Sequence, residues 1–140
     1  MRELTQEQRI RYYHSHPIIN YLRVEVVPKE DGSVRLELPI DENHTNLYGI
    51  AHGGVLTTMA DTAMGEICLE RNKKVVTISM TIDFLHAVPL TKRIATEPRI
   101  LHDGRQTMVC ECDILDDTGK IFARVLATFF VIGNFDDDEI

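Results

Sequence analysis

The sequence predicts an α+β protein in which a mostly antiparallel sheet curls around one long apolar helix. Three observations carry this. Within "VLTTMADTAMGEICLERN", residues 55–72, Leu56, Met59, Ala60, Ala63, Met64 and Ile67 recur at three- and four-residue steps, the signature of one buried helical stripe. Two strand-like segments precede that helix and four follow it. A single apolar helix of this length needs a sheet to bury it, and a sheet that wraps around the helix meets the need.

Taken in order, Thr5 and Gln8 form a capping box that predicts a short helix over residues 6–14, ended by Pro17. "NYLRVEVVP" alternates, with Leu22, Val24 and Val26 on one side and Arg23 and Glu25 on the other. "KEDG" marks a turn, and "SVRLELP" alternates again through Val34, Leu36 and Leu38, so the pair reads as a hairpin with one wet face. "DENHTNLYGIAHGG" lacks a period and reads as loop. After the helix, "KVVTISMTIDFLHA" sets Val76, Ile78, Met80, Ile82 and Phe84 on one face and Thr77, Ser79, Thr81 and Asp83 on the other. Pro98 in "RIATEPRILH" suggests an edge or a bulge. "DG" at 103–104 and "DDTGK" at 116–120 are turn signals around "RQTMVCECDIL". The last strand, "IFARVLATFFVIG", is apolar on nearly both faces, which predicts a central, doubly covered position.

The chain has 140 residues, which suits one domain over 1–140, with the helix at 6–14 and the acidic tail at 135–140 peripheral to it. At 44% hydrophobic and 26% charged residues the composition is that of an ordinary globular protein. No apolar run is long enough to span a membrane. The polar start "MRELTQEQRIRYY" lacks the apolar stretch of a signal peptide, so a cytoplasmic location is expected. A formal charge of −7 argues against non-specific binding to a nucleic-acid backbone. Cys68, Cys110 and Cys112 have no CxxC spacing and read as reduced and structural. "HSH" at 14–16 lacks a third nearby ligand, so neither a metal nor a cofactor is expected.

The chemistry concentrates in "NLYGIAHGGVLTTMAD", residues 46–61, where a loop enters the helix through a glycine pair and an aspartate follows inside the helix. Asp61 falls on the flank of the apolar stripe beside Thr57, Thr58, Gly65 and Cys68, all small enough to admit something close. Gly53 and Gly54 fall at the helix start, where backbone N–H groups lack intrahelical partners and the helix dipole adds positive character. Without a Cβ, they let a substrate come near.

This stretch resembles the signature of the hotdog-fold acyl-CoA thioesterases, in particular the PaaI-type branch. The resemblance rests on Asn46, Gly49, His52, Gly53, Gly54 and Asp61, with the acid eight positions after the first glycine of the pair. "TISMTIDFLHAVP" resembles the strand after the helix in that family, and "DGRQTMVCECDILDDTGKIFARVLATFFV" resembles its closing strands, so the match runs from about residue 20 to 132. The sequence departs from the pattern at His86, where relatives often carry Arg before Pro.

The resemblance implies a hotdog fold and hydrolysis of an acyl-CoA thioester. Asp61 would act as general base or nucleophile, and the Gly53 amide would polarise the thioester carbonyl. Asn46 would orient water or the thioester, His52 would bond near the substrate carbonyl or fix the loop, and Ser79 stands where relatives place a water-positioning hydroxyl. A carboxylate held partly dry at a subunit boundary is more basic than a free one. The implied site is shared, with Asp61 and Ser79 of one subunit facing Asn46, His52 and Gly53 of another. A homodimer is then the minimum partner state and a dimer of dimers is common in the family. Gly54 and Thr57 would line the substrate. Arg71, Lys73, Lys74, Lys92, Arg93 and Arg105 are candidates for the coenzyme A phosphates, with Lys74 and Arg105 preferred. The competing readings are a non-catalytic acyl-CoA binder and a hotdog hydratase or dehydratase.

Overall fold

The computed structural model describes residues 3–135. Three α-helices, α1 (Gln6–His14), α2 (Pro17–Tyr21) and α3 (Gly53–Cys68), accompany six strands: β1 (Glu25–Pro28), β2 (Val34–Pro39), β3 (Lys73–Phe84), β4 (Arg93–Asp103), β5 (Thr107–Leu115) and β6 (Ile121–Asn134). The strands form one antiparallel sheet in the order β1-β2-β4-β5-β6-β3. α3 touches β2, β3, β4, β5 and β6, so the sheet curves around it.

The stripe on α3 is buried as its spacing requires: Leu56, Met59, Ala60, Ala63 and Met64 are all at most 3% exposed, and Ile67 is half-buried. Facing them are Leu36, Leu38, Ile94, Met108, Ile114 and Phe129 from the sheet. At roughly 1.5–3 kcal/mol for each large apolar side chain, this contact is the main local source of stability.

Several elements match their sequence signals closely. α1 spans Gln6–His14 and carries both halves of the Thr5–Gln8 capping box. The β1–β2 turn closes on Gly32, and Asp31 accepts a hydrogen bond from the Ser33 N–H. In the β5–β6 turn the Asp116 carboxylate accepts from the N–H groups of Thr118 and Lys120. Pro98 sits where β2 no longer pairs with β4, so its missing N–H costs no ladder bond, and a bulge follows between Ile100 and His102. The acidic tail from residue 136 onward lies outside the described residues.

Other elements differ. Pro17 starts α2 as its first residue instead of only ending α1, because proline is tolerated where the N–H has no helical partner. The chain then turns through Arg23 at φ 58°, and β1 begins only at Glu25. Leu22 and Val24 still reach the core, but from this turn. β6 is flanked by β5 and β3 as expected of a central strand. Its inner residues Ala123, Val125, Ala127 and Phe129 are buried, whereas Leu126, Phe130 and Ile132 on the outer face are 44–51% exposed in the single chain.

The difference that matters most for chemistry is in β3. Simple alternation puts Thr77 and Ser79 on the same face. The register instead pairs Thr77 with Phe129 and Ser79 with Thr128, so an extra residue bulges between them. Thr77 therefore turns inward toward α3, and Ser79 is exposed on the outer side with Thr128 as its neighbour.

Candidate functional site

The loop before α3 is built to present a helix start. Asn46 Oδ1 accepts from the N–H groups of Tyr48 (2.9 Å) and Ile50 (3.4 Å), and Gly49 takes φ 77° to turn the chain back. Thr45 and Ala51 form an isolated bridge that closes the loop. The side-chain nitrogen of Asn46 makes no hydrogen bond among the described residues and is left to donate.

His52 is the N-cap of α3, and its Nδ1 accepts from the Gly54 N–H at 2.8 Å. A neutral ring that accepts at Nδ1 carries its proton on Nε2. This capping bond consumes the Gly54 donor, so Gly54, expected to bind substrate, offers no free N–H. The Gly53 N–H has no acceptor among the described residues and stands at the positive end of a 16-residue helix. The Thr57 hydroxyl, also expected at the substrate, donates to Gly53 O at 2.7 Å and so braces the first turn.

A hollow of about 420 Å³ opens beside this helix start, lined by Asn46, Ile50, Gly53, Leu56, Phe84, His86 and Val88 among others. It is mainly apolar, with the Gly53 amide, the Asn46 amide group and the His86 ring among its polar features. The Phe84 ring lies against Gly53: a Cβ there would stand 3.0 Å from Cζ. His86 replaces the arginine of the family pattern and packs edge-on to Phe122 at 6.3 Å between ring centres. Lys92 and Lys120 sit over that same ring at 5.9 and 5.1 Å. Lys120 is a basic group near the hollow that sequence reasoning missed, since only the fold brings the β5–β6 turn here.

Asp61 lies two turns further along α3, half-buried, and its Oδ1 accepts from Thr77 Oγ1 at 2.6 Å. Ser79, expected to position water, is on the opposite face of β3; the bulge sets Thr77 against Asp61. Gly65 and Cys68 do not line an open flank with Asp61. The Tyr12 hydroxyl covers Gly65, and the Cys68 thiol meets Cys110 at 3.7 Å. Nor is Asp61 the lone acid on the helix. Glu66 is 1% exposed and bonds to Arg9 and, at 3.3 Å, to the Tyr13 hydroxyl. Burial pushes the Glu66 carboxyl up against the pull of Arg9.

The basic residues divide by position. Lys74 stands ten residues before Phe84 on β3, roughly 33 Å away along an extended strand. Arg105 follows Asp103, whose carboxylate binds Lys73 and Arg71, so it belongs to the same far end. Neither reaches the Gly53 hollow within one chain. Arg93 is held by Glu25 and Glu37, and Lys92 pairs with Asp116.

A curved antiparallel sheet around one helix, with a bare amide at the helix start and a carboxylate two turns on, defines a hotdog-fold protein. The model of the thioesterase superfamily matches residues 48–123. Human acyl-coenzyme A thioesterase 13 is 29% identical over 105 residues, which are 73% of this chain and 75% of that protein. Acyl-coenzyme A thioesterase PaaI of Escherichia coli is 24% identical over 111 residues, 79% of each chain. A hypothetical thioesterase of Streptococcus pneumoniae, solved with coenzyme A, superposes with TM-score 0.73 at 29% identity, covering 81% of this chain and 91% of that one. Structures of that pneumococcal protein also exist with an aspartate or a threonine changed to alanine. The chain belongs to the thioesterase superfamily, in its PaaI-type branch.

Proposed function

We propose that this protein hydrolyses acyl-CoA thioesters at a site shared by two copies of the chain, with Asp61 of one copy and the Gly53 amide of the other acting on the same thioester. The observation that carries the shared site is the spacing on α3. Gly53, Thr57 and Asp61 recur at four-residue steps and so lie along one flank of the helix. Eight residues separate Gly53 from Asp61, about 12 Å at 1.5 Å per residue. One carbonyl carbon cannot meet both groups of a single chain. A second α3, antiparallel and related by a two-fold axis near Thr57, sets the Gly53 of one copy opposite the Asp61 of the other.

The sheet supports the same axis. Among the described residues β3 pairs only with β6, so its other edge is a 12-residue strand edge without a partner among them, beside exposed Val76, Ile78 and Phe84. Two β3 edges paired about the same axis bring Lys74 of one copy toward the Phe84 hollow of the other. That pairing is the route by which Lys74, with Arg105 near it, meets coenzyme A phosphates, alongside His86, Lys92 and Lys120 of the hollow's own chain.

In this reading Thr77 holds one oxygen of Asp61 and leaves the other to meet water. Asp61 takes a proton from that water, the hydroxide adds to the thioester carbon, and the Gly53 N–H stabilises the developing oxyanion. Collapse breaks the carbon–sulfur bond and releases coenzyme A and the acid. Direct attack by Asp61 needs the same groups and passes through an anhydride. The aspartate and threonine changed to alanine in the pneumococcal relative are separated by sixteen residues, the separation of Asp61 and Thr77. Acyl-CoA names and a coenzyme A complex among the relatives support the substrate class.

Release of free thiol from a panel of acyl-CoAs tests the proposal. Wild type hydrolyses at least one member, and Asp61→Asn loses nearly all of that activity. Hydrolysis unchanged in Asp61→Asn ends the mechanism. Tight binding without hydrolysis by wild type turns the reading to a non-catalytic binder.

A further inference from the structure

We infer that His44, in the loop before α3, is a positioning residue: its buried ring fixes the base of the loop from which His52 and the Gly53 amide are presented. The inference rests on the acyl-CoA site proposed above and deepens it.

His44 ends a one-turn helix over Glu42–His44 and is 2% exposed. Both of its ring nitrogens are engaged. Nδ1 accepts from the Asp41 N–H at 3.0 Å, and Nε2 stands 2.7 Å from the Leu22 carbonyl oxygen. A backbone N–H can only donate and a carbonyl can only accept. These two partners therefore select the neutral tautomer with its proton on Nε2, and a single orientation of the ring.

The partners lie on separate elements. Leu22 is the C-cap residue of α2, where end carbonyls need partners from outside the helix. The next residue, Arg23, takes φ 58° and pairs with Asp41 at 2.8 Å. Two contacts thus clamp the turn after α2 to the base of the loop. The Arg23–Asp41 pair is exposed on both sides and contributes little, so the buried ring is the tie that counts. Positive φ at a non-glycine residue persists where its surroundings over-determine it, and this clamp is part of those surroundings.

The main chain carries the constraint on to the helix start. The His44 carbonyl accepts from the His52 N–H at 2.8 Å, beside the bridge between Thr45 and Ala51. Residues 45–51, with Asn46 among them, form a loop whose ends meet at His44 and His52. His52 in turn holds the Gly54 N–H through Nδ1. Gly53 lies between these two held residues, with its own N–H left for the thioester oxygen. A ring that lets go of Leu22 frees the loop base to shift, and the Gly53 amide shifts with it. A donor acts on an oxyanion only where it is placed for it, and a misplacement of about 1 Å can cost ~10²-fold in rate.

Three variants separate the two ring bonds. His44→Gln sets an amide nitrogen near the place of Nε2 and keeps the bond to Leu22. His44→Asn sets an oxygen near the place of Nδ1 and keeps only the local bond to Asp41. His44→Phe keeps a ring and neither bond. With an acyl-CoA that wild type cleaves, well below each Tm, His44→Phe and His44→Asn should lower kcat about 10- to 100-fold with KM within about twofold, and His44→Gln should stay within about threefold of wild type. A merely structural ring lowers Tm and leaves kcat unchanged. That result, or equal kcat in His44→Gln and His44→Asn, overturns the inference, and the comparison of these two stands even if His44→Phe does not fold. Amide hydrogen exchange followed by NMR tests the positioning even if wild type cleaves no thioester. Exchange at the His52 and Gly54 N–H groups should be at least about tenfold faster in His44→Asn than in His44→Gln, with Met64 in the middle of α3 unchanged. Equal protection of His52 and Gly54 in the two variants refutes the assignment.

Discussion

Asp61 and Thr77 form a two-residue unit whose parts have separable effects. Thr77 reaches Asp61 through one hydroxyl at 2.6 Å and touches the proposed chemistry only through it. Thr77→Val keeps the shape of the side chain and removes that bond. We expect kcat to fall about tenfold with KM little changed, because the loss lies in orienting the carboxylate. Thr77→Ser should recover most of the rate, and steady-state kinetics on the three proteins reads the difference. The Gly53 amide can be deleted without removing the helix. Gly53 is the first residue of α3, where proline is tolerated, and His52 before it is already extended at φ −66° and ψ 134°. Gly53→Pro therefore removes the N–H at a compatible place, at the cost of shifting the exposed Phe84 ring. A 10²–10³-fold loss in kcat with retained helicity by circular dichroism is the expected outcome.

At the scale of elements, two ion-pair networks tie the helices and strands in place. Arg9 on α1 meets Glu66 on α3, and it also reaches Glu70 at 2.9 Å. Arg9→Met leaves the Glu66 carboxylate buried without its cation, which costs about 3 kcal/mol, near 10 °C in Tm for a domain of this size. Arg9→Met with Glu66→Leu should regain much of that loss, since a well-packed apolar pair escapes the desolvation penalty. Across the outer face of β4, β5 and β6, Asp113 is 7% exposed and bonds to Arg99 and Arg124. Burial raises its carboxyl, but the two guanidinium partners outweigh this and hold it below the ordinary 3.8. A carboxyl with a lowered folded-state pKa stabilises the fold above its unfolded value, and that contribution is lost as pH falls through the folded value. Thermal melts between about pH 5 and pH 2 should thus show a smaller acid-induced drop in Asp113→Asn than in wild type, from a lower starting Tm.

For the whole molecule the question is whether one chain or two make the site. The helical rise of about 12 Å between Gly53 and Asp61 on one helix is the reason we propose two. Light scattering behind size exclusion should give at least a dimer. A sharper measurement mixes two dead chains. Asp61→Asn and Gly53→Pro each lack one half of the site, and a hybrid dimer restores one intact site from the two undamaged halves. Co-expression should return about a quarter of wild-type activity, since half of the dimers are hybrids and each has one good site of two. A site contained within one chain would show no recovery.

Much of this was legible in the residues. The 3.6-residue stripe fixed α3 and its buried face, because a helix cannot hide six apolar positions in any other way. The loop motif placed Asn46, His52, Gly53 and Asp61 in order, because capping and turn chemistry are local. The bulge that turns Thr77 inward to Asp61 was not legible, since strand register is set by the partner strand and not by the strand's own alternation. The burial of Glu66 against Arg9, and the Tyr12 hydroxyl over Gly65, join residues more than fifty apart, and no local pattern encodes such a contact. Periodicity and capping are properties of a few neighbouring residues; which side chains finally meet is decided only when the sheet closes around the helix.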